Sequence, residues 1–113
     1  MTLGEKQREF TYHVSQLIQH IYAMGYTCTF GDAFRDPRTH GVQGEDKAYG
    51  EPTSAHKNRL AVDLNLFLDN SFIRSTEPHR QFGTYWKALH RDNVWGGDFD
   101  DGNHYSRRHD NVA

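Results

Sequence analysis

The chain has 113 residues, of which 35% are hydrophobic and 13% aromatic, and its formal net charge is −2. This length suggests one domain spanning residues 1–113 with a modest core, and the charge offers no basic surface to favour nucleic acid or a membrane. A single cysteine, Cys28, excludes an internal disulfide, and no apolar run approaches the ~20 residues of a membrane span. The eight histidines are many for this length and favour a metal site or proton-transfer chemistry.

The N-terminal segment has the pattern of an amphipathic helix over about residues 4–24. Thr2 and Glu5 have the spacing of a capping box, which satisfies free backbone N–H groups at a helix start. His13 and His20 lie on this helix, and we expect both to be solvated or at the rim rather than metal ligands. Residues 1–9 are polar and lack the apolar core of an ordinary secretory signal.

A short strand at residues 26–30 and a long loop from Gly31 to Thr53 follow the helix. Loops of this length within a small domain are usually functional or mobile. We expect the segment from Gly41 to be a rim of a cleft, where Tyr49 could contact a substrate. Arg35 comes soon after the strand, and surface solubility is the simplest role for a single arginine.

Residues 60–68 alternate between apolar and other side chains, which predicts a strand with one apolar face. The residues of that face are Leu60, Val62, Leu64, Leu66 and Leu68. Asp63 lies on the second face, and a carboxylate on a mostly buried strand is costly unless it is paired or metal-bound. A salt bridge to lysine or arginine and a metal ligand are equally good interpretations of Asp63 alone.

The last third of the chain predicts a second helix and a closing segment. Apolar residues recur at helical spacing over about residues 77–91, with Thr76 as the N-cap and Pro78 in the first turn. Residues 93–105 combine glycines, acidic side chains and aromatic residues. Residues 106–113 are polar, and we expect them to be a frayed end.

His56 and Asp63 together suggest a metal site, provided that the chain turns between them. Seven residues of extended strand would separate the two by ~23 Å, which is too far for ligands of one ion. The polar residues 57–59 can make the necessary turn. His104 is the best candidate for a third ligand, and His109 is a reserve.

An acidic residue precedes His104 by three positions and is a candidate general base. A carboxylate beside a zinc-bound water can take its proton, which assigns this role to Asp101. Asp98 and Asp100 are rivals, and Asp98 could instead orient a ligand histidine.

The pattern Ser54-x-His56-x6-Asp63, followed by Trp95-Gly-Gly and Asp101-x-x-His104, resembles the zinc D-Ala-D-Ala carboxypeptidase and L-alanyl-D-glutamate peptidase family, the VanY/VanX-like group. It is most similar to the short phage members that serve as endolysins. The resemblance extends from about Gly31 to Tyr105. It implies a small α+β domain in which helices flank an antiparallel sheet, the Hedgehog/DD-peptidase-like fold.

The resemblance also implies the roles of six residues. The zinc ligands would be His56, Asp63 and His104, the general base Asp101, the oxyanion-stabilising residue Arg35, and the substrate contact Ser54. The implied cofactor is Zn²⁺ and the implied substrate a peptidoglycan stem peptide, with no nucleic acid and no membrane insertion. We expect a monomer in the host cytoplasm that is released to the periplasm or cell wall.

The sequence is also compatible with three other functions. A D-alanyl-D-alanine carboxypeptidase or dipeptidase would use the same chemistry on a different bond. A non-catalytic zinc domain could bind the cell wall or a phage structural partner, since fold alone does not fix function. A globular domain with solvated histidines would bind no stoichiometric zinc.

Overall fold

The computed structural model describes residues 1–31 and 58–110. Two α-helices and five strands lie in the described ranges. In chain order these are α1 (Leu3–Ala23), β1 (Thr27–Phe30), β2 (Ala61–Leu68), β3 (Ser71–Phe72), α2 (Arg80–Leu89), β4 (Asn93–Trp95) and β5 (His104–Arg107). Short 3-10 helices at Glu77–His79 and Gly96–Phe99 lead into α2 and follow β4.

The described strands form one antiparallel sheet in the order β1-β2-β5-β4, with β3 also paired to β2. The two helices pack against each other, while α1 contacts β1 and α2 contacts β4. The predicted α+β class with an antiparallel sheet is therefore confirmed. Strand β2 is central, because it pairs with three other strands.

Helix α1 begins where the sequence predicts. The Thr2 side chain accepts a hydrogen bond from the Glu5 backbone, and the Glu5 carboxylate accepts one from Thr2, so the capping box is present. The buried face of α1 includes Leu17 and Ile21, both fully shielded from solvent. His13 also lies on this face and is 9% exposed, so its prediction as a solvated or rim histidine is wrong. Its ring meets Trp86 edge-on and fills space in the core.

Strand β2 supplies the centre of the core. Leu64 and Leu66 are fully buried, as the alternation predicts. Leu68 is 39% exposed, so its assignment to the core is wrong. It is the last residue of the strand and is followed by a turn in which Asp69 and Asn70 both have positive φ values.

Helix α2 follows a 3-10 turn that starts at Glu77, immediately after Thr76. Thr76 occupies the N-cap position and Pro78 lies in the first turn, as the sequence predicts, but the Thr76 side chain makes no capping hydrogen bond and its backbone is already helical. The predicted apolar face is present, because Phe82 and Trp86 are fully buried. The long apolar helix of a membrane span is not found among the described residues.

The predicted frayed end at residue 106 is also wrong. Ser106 and Arg107 belong to β5 and are 0% and 3% exposed. The Trp86 indole donates a hydrogen bond to the Ser106 carbonyl at 3.0 Å. The Arg107 guanidinium donates to the Glu9 carboxylate of α1. Partners from two helices therefore order this polar segment.

Candidate metal centre

The candidate centre begins with two side chains that strand pairing places opposite each other. Asp63 lies on the face of β2 that does not carry the row of core leucines. Strand β5 runs antiparallel to β2 and aligns His104 with Asp63. His104 Nδ1 is 3.2 Å from Asp63 Oδ1. The fold thus brings together two predicted ligands that are 41 residues apart in sequence.

This pair is largely withdrawn from water. The side chains of Asp63 and His104 are 18% and 15% exposed. A carboxylate in such a place needs a partner that offsets its lost hydration. His104 can provide one through an N–H donor, and both side chains could also share a cation.

The donor atoms suit zinc in type and in spacing. Zinc takes imidazole nitrogen and carboxylate oxygen at ~2.0–2.2 Å, so two donors on a tetrahedral ion lie ~3.4 Å apart. The 3.2 Å between Asp63 and His104 is close to that value. It is also within reach of a direct N–H···O hydrogen bond. The same backbone can therefore hold the pair with or without a bound ion.

A complete ligand set is not formed by the described residues alone. Within residues 1–31 and 58–110, no three His, Cys, Asp or Glu side chains are placed to hold one metal ion. The predicted third ligand, His56, lies outside these ranges. The turn predicted before β2 is partly visible, since Arg59 has a left-handed φ of 58°.

The loop between β4 and β5 holds Asp101 beside His104. The Asp101 N–H donates to the Gly96 carbonyl at 2.8 Å, and the His104 N–H donates to the Asp101 carbonyl at 3.1 Å. The Trp95 indole donates to the Gly102 carbonyl at 2.8 Å. Gly96 packs so closely that an added Cβ would overlap both the Asp101 carbonyl and the His104 Cβ. The loop is thereby fixed against the base of β5.

The rival acidic residues occupy different positions. The Asp98 carboxylate contacts Lys87 Nζ of α2 at 3.1 Å. Asp100 is exposed at the end of the 3-10 helix and has a left-handed φ of 64°. His109, the reserve ligand, contacts Lys6 and Asp110. Of these acidic residues, Asp101 is the one whose backbone carbonyl accepts a hydrogen bond from the His104 N–H.

Three other predicted site residues fall outside the described residues. These are Arg35, Ser54 and the metal-ligand candidate His56, together with the rim segment from Gly41 to Thr53. Their predicted roles remain predictions. The described part of the site consists of Asp63, His104 and Asp101.

A cavity of about 190 Å³ is lined in part by Asp101 and by the chain neighbours of Asp63 and His104, and the sequence does not predict it. Its lining includes Asn65, Asn103, Asp101 and His79. Asn65 follows Asp63 by two positions on the same face of β2, and Asn103 immediately precedes His104. The Asn103 amide donates to the Asn65 carbonyl oxygen at 3.3 Å. The feature of the sequence that points to this cavity is Asn65, a second polar residue on the same face of β2 as Asp63.

His79 forms a buried part of the cavity lining. It is 4% exposed, and this burial lowers the pKa of its imidazole below the ordinary 6.5, although a hydrogen bond with the Ile73 backbone acts in the opposite direction. Burial of the ring therefore favours its neutral form. Its Nδ1 has no hydrogen-bond partner among the described residues.

No protein-family model matches this chain, and no curated protein matches it.

Proposed function

We propose that the protein is a zinc-dependent peptidase that cleaves peptidoglycan stem peptides, most specifically an L-alanyl-D-glutamate endopeptidase of the endolysin type. The observation that carries this proposal is the pairing of Asp63 with His104 across β2 and β5 at 3.2 Å. Asp101 adjoins this pair at the side of a polar cavity. The resemblance of the sequence motifs to the VanY/VanX-like peptidases supports the same function.

The residues that would hold zinc are His56, Asp63 and His104. Two nitrogen donors and one carboxylate are a common protein ligand set for catalytic zinc, which keeps one position open. The bound ion would lower the pKa of a water molecule to ~7 and polarise the peptide carbonyl. Because Asp63 and His104 lie on hydrogen-bonded strands, two of these donors are held in place by the sheet.

Asp101 is the residue proposed to move the proton. Its carboxylate accepts a proton from the attacking water and delivers that proton to the leaving amine. The Asp101 side chain is exposed and lines the cavity, which gives it access to water and substrate. Its carbonyl accepts the His104 N–H at 3.1 Å, and this bond ties its position to that of the metal ligand.

The resemblance assigns the two remaining roles in the proposed mechanism to Arg35 and Ser54. Arg35 would stabilise the negative charge that develops on the carbonyl oxygen in the tetrahedral intermediate. Ser54 would contact the substrate on the side of His56. The proposed setting of this activity is the bacterial cell wall, which a phage enzyme of this type reaches from the host cytoplasm.

Hydrolysis of purified peptidoglycan tests the proposal. Protein loaded with zinc is incubated with the polymer, and the products are identified by mass spectrometry. We expect cleavage between L-Ala and D-Glu, loss of activity after chelation, and recovery when zinc is restored. Release of free D-Ala would instead identify a carboxypeptidase, and intact peptidoglycan after incubation with zinc-loaded protein would overturn the peptidase proposal.

The role of Asp101 is tested by Asp101→Ala, with Asp92→Ala as a control at an acidic residue outside the cavity lining. Removing a general base typically costs 10²–10⁴ in rate. We expect Asp101→Ala to lose activity on this scale while zinc remains bound, and Asp92→Ala to retain activity. Full activity of Asp101→Ala would move the proton-transfer role to another residue.

A further inference from the structure

The polar cavity beside the candidate centre has features of a substrate subsite. One wall is the segment of residues 72–76, which begins at the last residue of β3, and the other is the segment of residues 100–103, which precedes β5. The two walls meet closely, because an added Cβ on Gly102 would lie 3.0 Å from Thr76 Cα. The volume of about 190 Å³ is below the ~300–1,000 Å³ of pockets that enclose drug-sized ligands. The cavity therefore suits one residue of a longer substrate.

The two walls carry opposite charges. Arg74 lies on the first wall, and its guanidinium stands 5.4 Å from the centre of the Phe72 ring. Among the described residues, Arg74 forms no ion pair with an acidic side chain. Asp100 and Asp101 lie on the second wall. A guanidinium supported by a ring face is well suited to bind a carboxylate through paired N–H donors.

The remaining lining offers neutral hydrogen-bonding groups. Asn65 and Asn103 provide side-chain amides, and Thr76 provides a hydroxyl. His79 is buried in the lining, with an Nδ1 atom that lacks a partner among the described residues. Unpartnered buried polar atoms are uncommon in folded proteins and call for an explanation, such as a ligand or water. These groups match the amide and carbonyl groups of a peptide.

We propose that this cavity binds the substrate residue next to the scissile bond and that Arg74 binds a free carboxylate on that residue. The inference deepens the proposed peptidase function and rests on it. Asp100 and Asp101 repel a carboxylate from their wall of the cavity, whereas Arg74 attracts it to the other wall. The opposed charges orient the peptide, so that its carboxylate lies at Arg74 and its reacting carbonyl lies towards Asp101 and the Asp63–His104 pair. Arg74 is accordingly a specificity residue rather than a catalytic one.

A binding experiment separates this inference from catalysis. The full chain, labelled with ¹⁵N and free of zinc to prevent turnover, is titrated with L-Ala-γ-D-Glu-L-Lys, in which the α-carboxylate of D-Glu is free. A second titration uses the same peptide with that carboxylate converted to a carboxamide. The side-chain NH₂ signals of Asn65 and Asn103 report binding in the cavity, and the backbone spectrum reports folding.

We expect the acidic peptide to shift both asparagine signals and to bind about tenfold more tightly than the amide, as a charge-assisted contact warrants. Arg74→Ala should abolish this preference, and Arg74→Lys should restore part of it. Arg91→Ala, which removes an exposed arginine outside the cavity lining, should keep the wild-type ratio. Unmoved asparagine signals, or an unchanged preference in Arg74→Ala, would overturn the inference. Carboxylate-dependent binding without peptidoglycan cleavage would refute the proposed peptidase and leave a peptide-binding site.

Discussion

His104 lies directly across the β2–β5 pair from Asp63, with Nδ1 and Oδ1 3.2 Å apart. Both residues are on hydrogen-bonded strands, so the backbone fixes the separation of their Cα atoms. Sites built on strands hold their geometry better than sites built on loops. The close approach of this carboxylate and imidazole is thus a property of the sheet register.

Gly96→Ala tests whether close packing of the loop positions the centre. The added Cβ would overlap the Asp101 carbonyl and the His104 Cβ, so the loop must shift away from β5. We predict a lower zinc affinity by at least about tenfold, since supporting contacts typically change metal affinity by 10–100-fold. Isothermal titration with zinc measures the change.

Gly97→Ala is the matched control for that substitution. Its added Cβ would overlap the Trp95 indole rather than Asp101 or His104. We expect this variant to lose stability but to retain more zinc affinity than Gly96→Ala. Equal zinc affinities of the two variants would contradict a specific positioning role for Gly96.

Gly83→Ala should destabilise the fold, although alanine favours helices by about 1 kcal/mol over glycine. Gly83 lies in α2, and an added Cβ would overlap the Trp95 indole. Overpacking of this kind costs about 1–3 kcal/mol. Gly4→Ala in α1 is the control, because its Cβ would meet only Arg8 at 3.4 Å. Denaturant unfolding should show a lower midpoint for Gly83→Ala and no loss for Gly4→Ala.

The ion pair between Glu9 and Arg107 should make the stability of the fold depend on pH in the acid range. The hydrogen bond from Arg107 holds the pKa of Glu9 below its ordinary 4.5, so the folded state favours the ionised carboxylate. This contribution to stability is present above the pKa that Glu9 has in the unfolded chain. It is lost as the pH falls through the lower pKa of Glu9 in the folded state. Glu9→Gln should therefore be less stable at pH 7, and its unfolding free energy should fall less steeply below about pH 5.

Glu77→Gln provides the comparison for Glu9. Glu77 pairs with Arg80, and their side chains are 76% and 57% exposed. Exposed pairs contribute little to stability, so this variant should follow the wild-type profile. The Glu9 prediction fails if Glu9→Gln and the wild type lose stability in parallel between pH 7 and pH 3.

Local signals in the sequence predict the elements that depend on neighbouring residues. The Thr2–Glu5 capping box gives the start of α1, and the alternation of leucines gives β2. These patterns follow from hydrogen bonding at helix ends and from the two-residue period of a strand. The α+β class follows from the order of such elements, and the structure confirms it.

Features that depend on distant partners are not predictable in this way. The sequence around Arg107 predicts a polar, frayed end. In the fold, the Arg107 guanidinium donates a hydrogen bond to the carboxylate of Glu9, which lies 98 residues earlier. The polar cavity combines β2 with the segments on either side of α2, so no single stretch of sequence indicates it. Asp63 and His104 can be nominated from sequence, but only the β2–β5 register places them side by side.

The zinc content of the purified protein is the most direct test of the proposed centre. Wild type, Asp63→Ala, His104→Ala and the control Asp92→Ala are loaded with zinc, dialysed and analysed for bound metal per chain. Asp92 lies in the turn before β4 and is a partly exposed acidic residue away from the pair. We predict one zinc per chain in the wild type and in Asp92→Ala, and a marked loss in the other two. A zinc-free wild type, or Asp63→Ala with undiminished zinc, would contradict the metal centre.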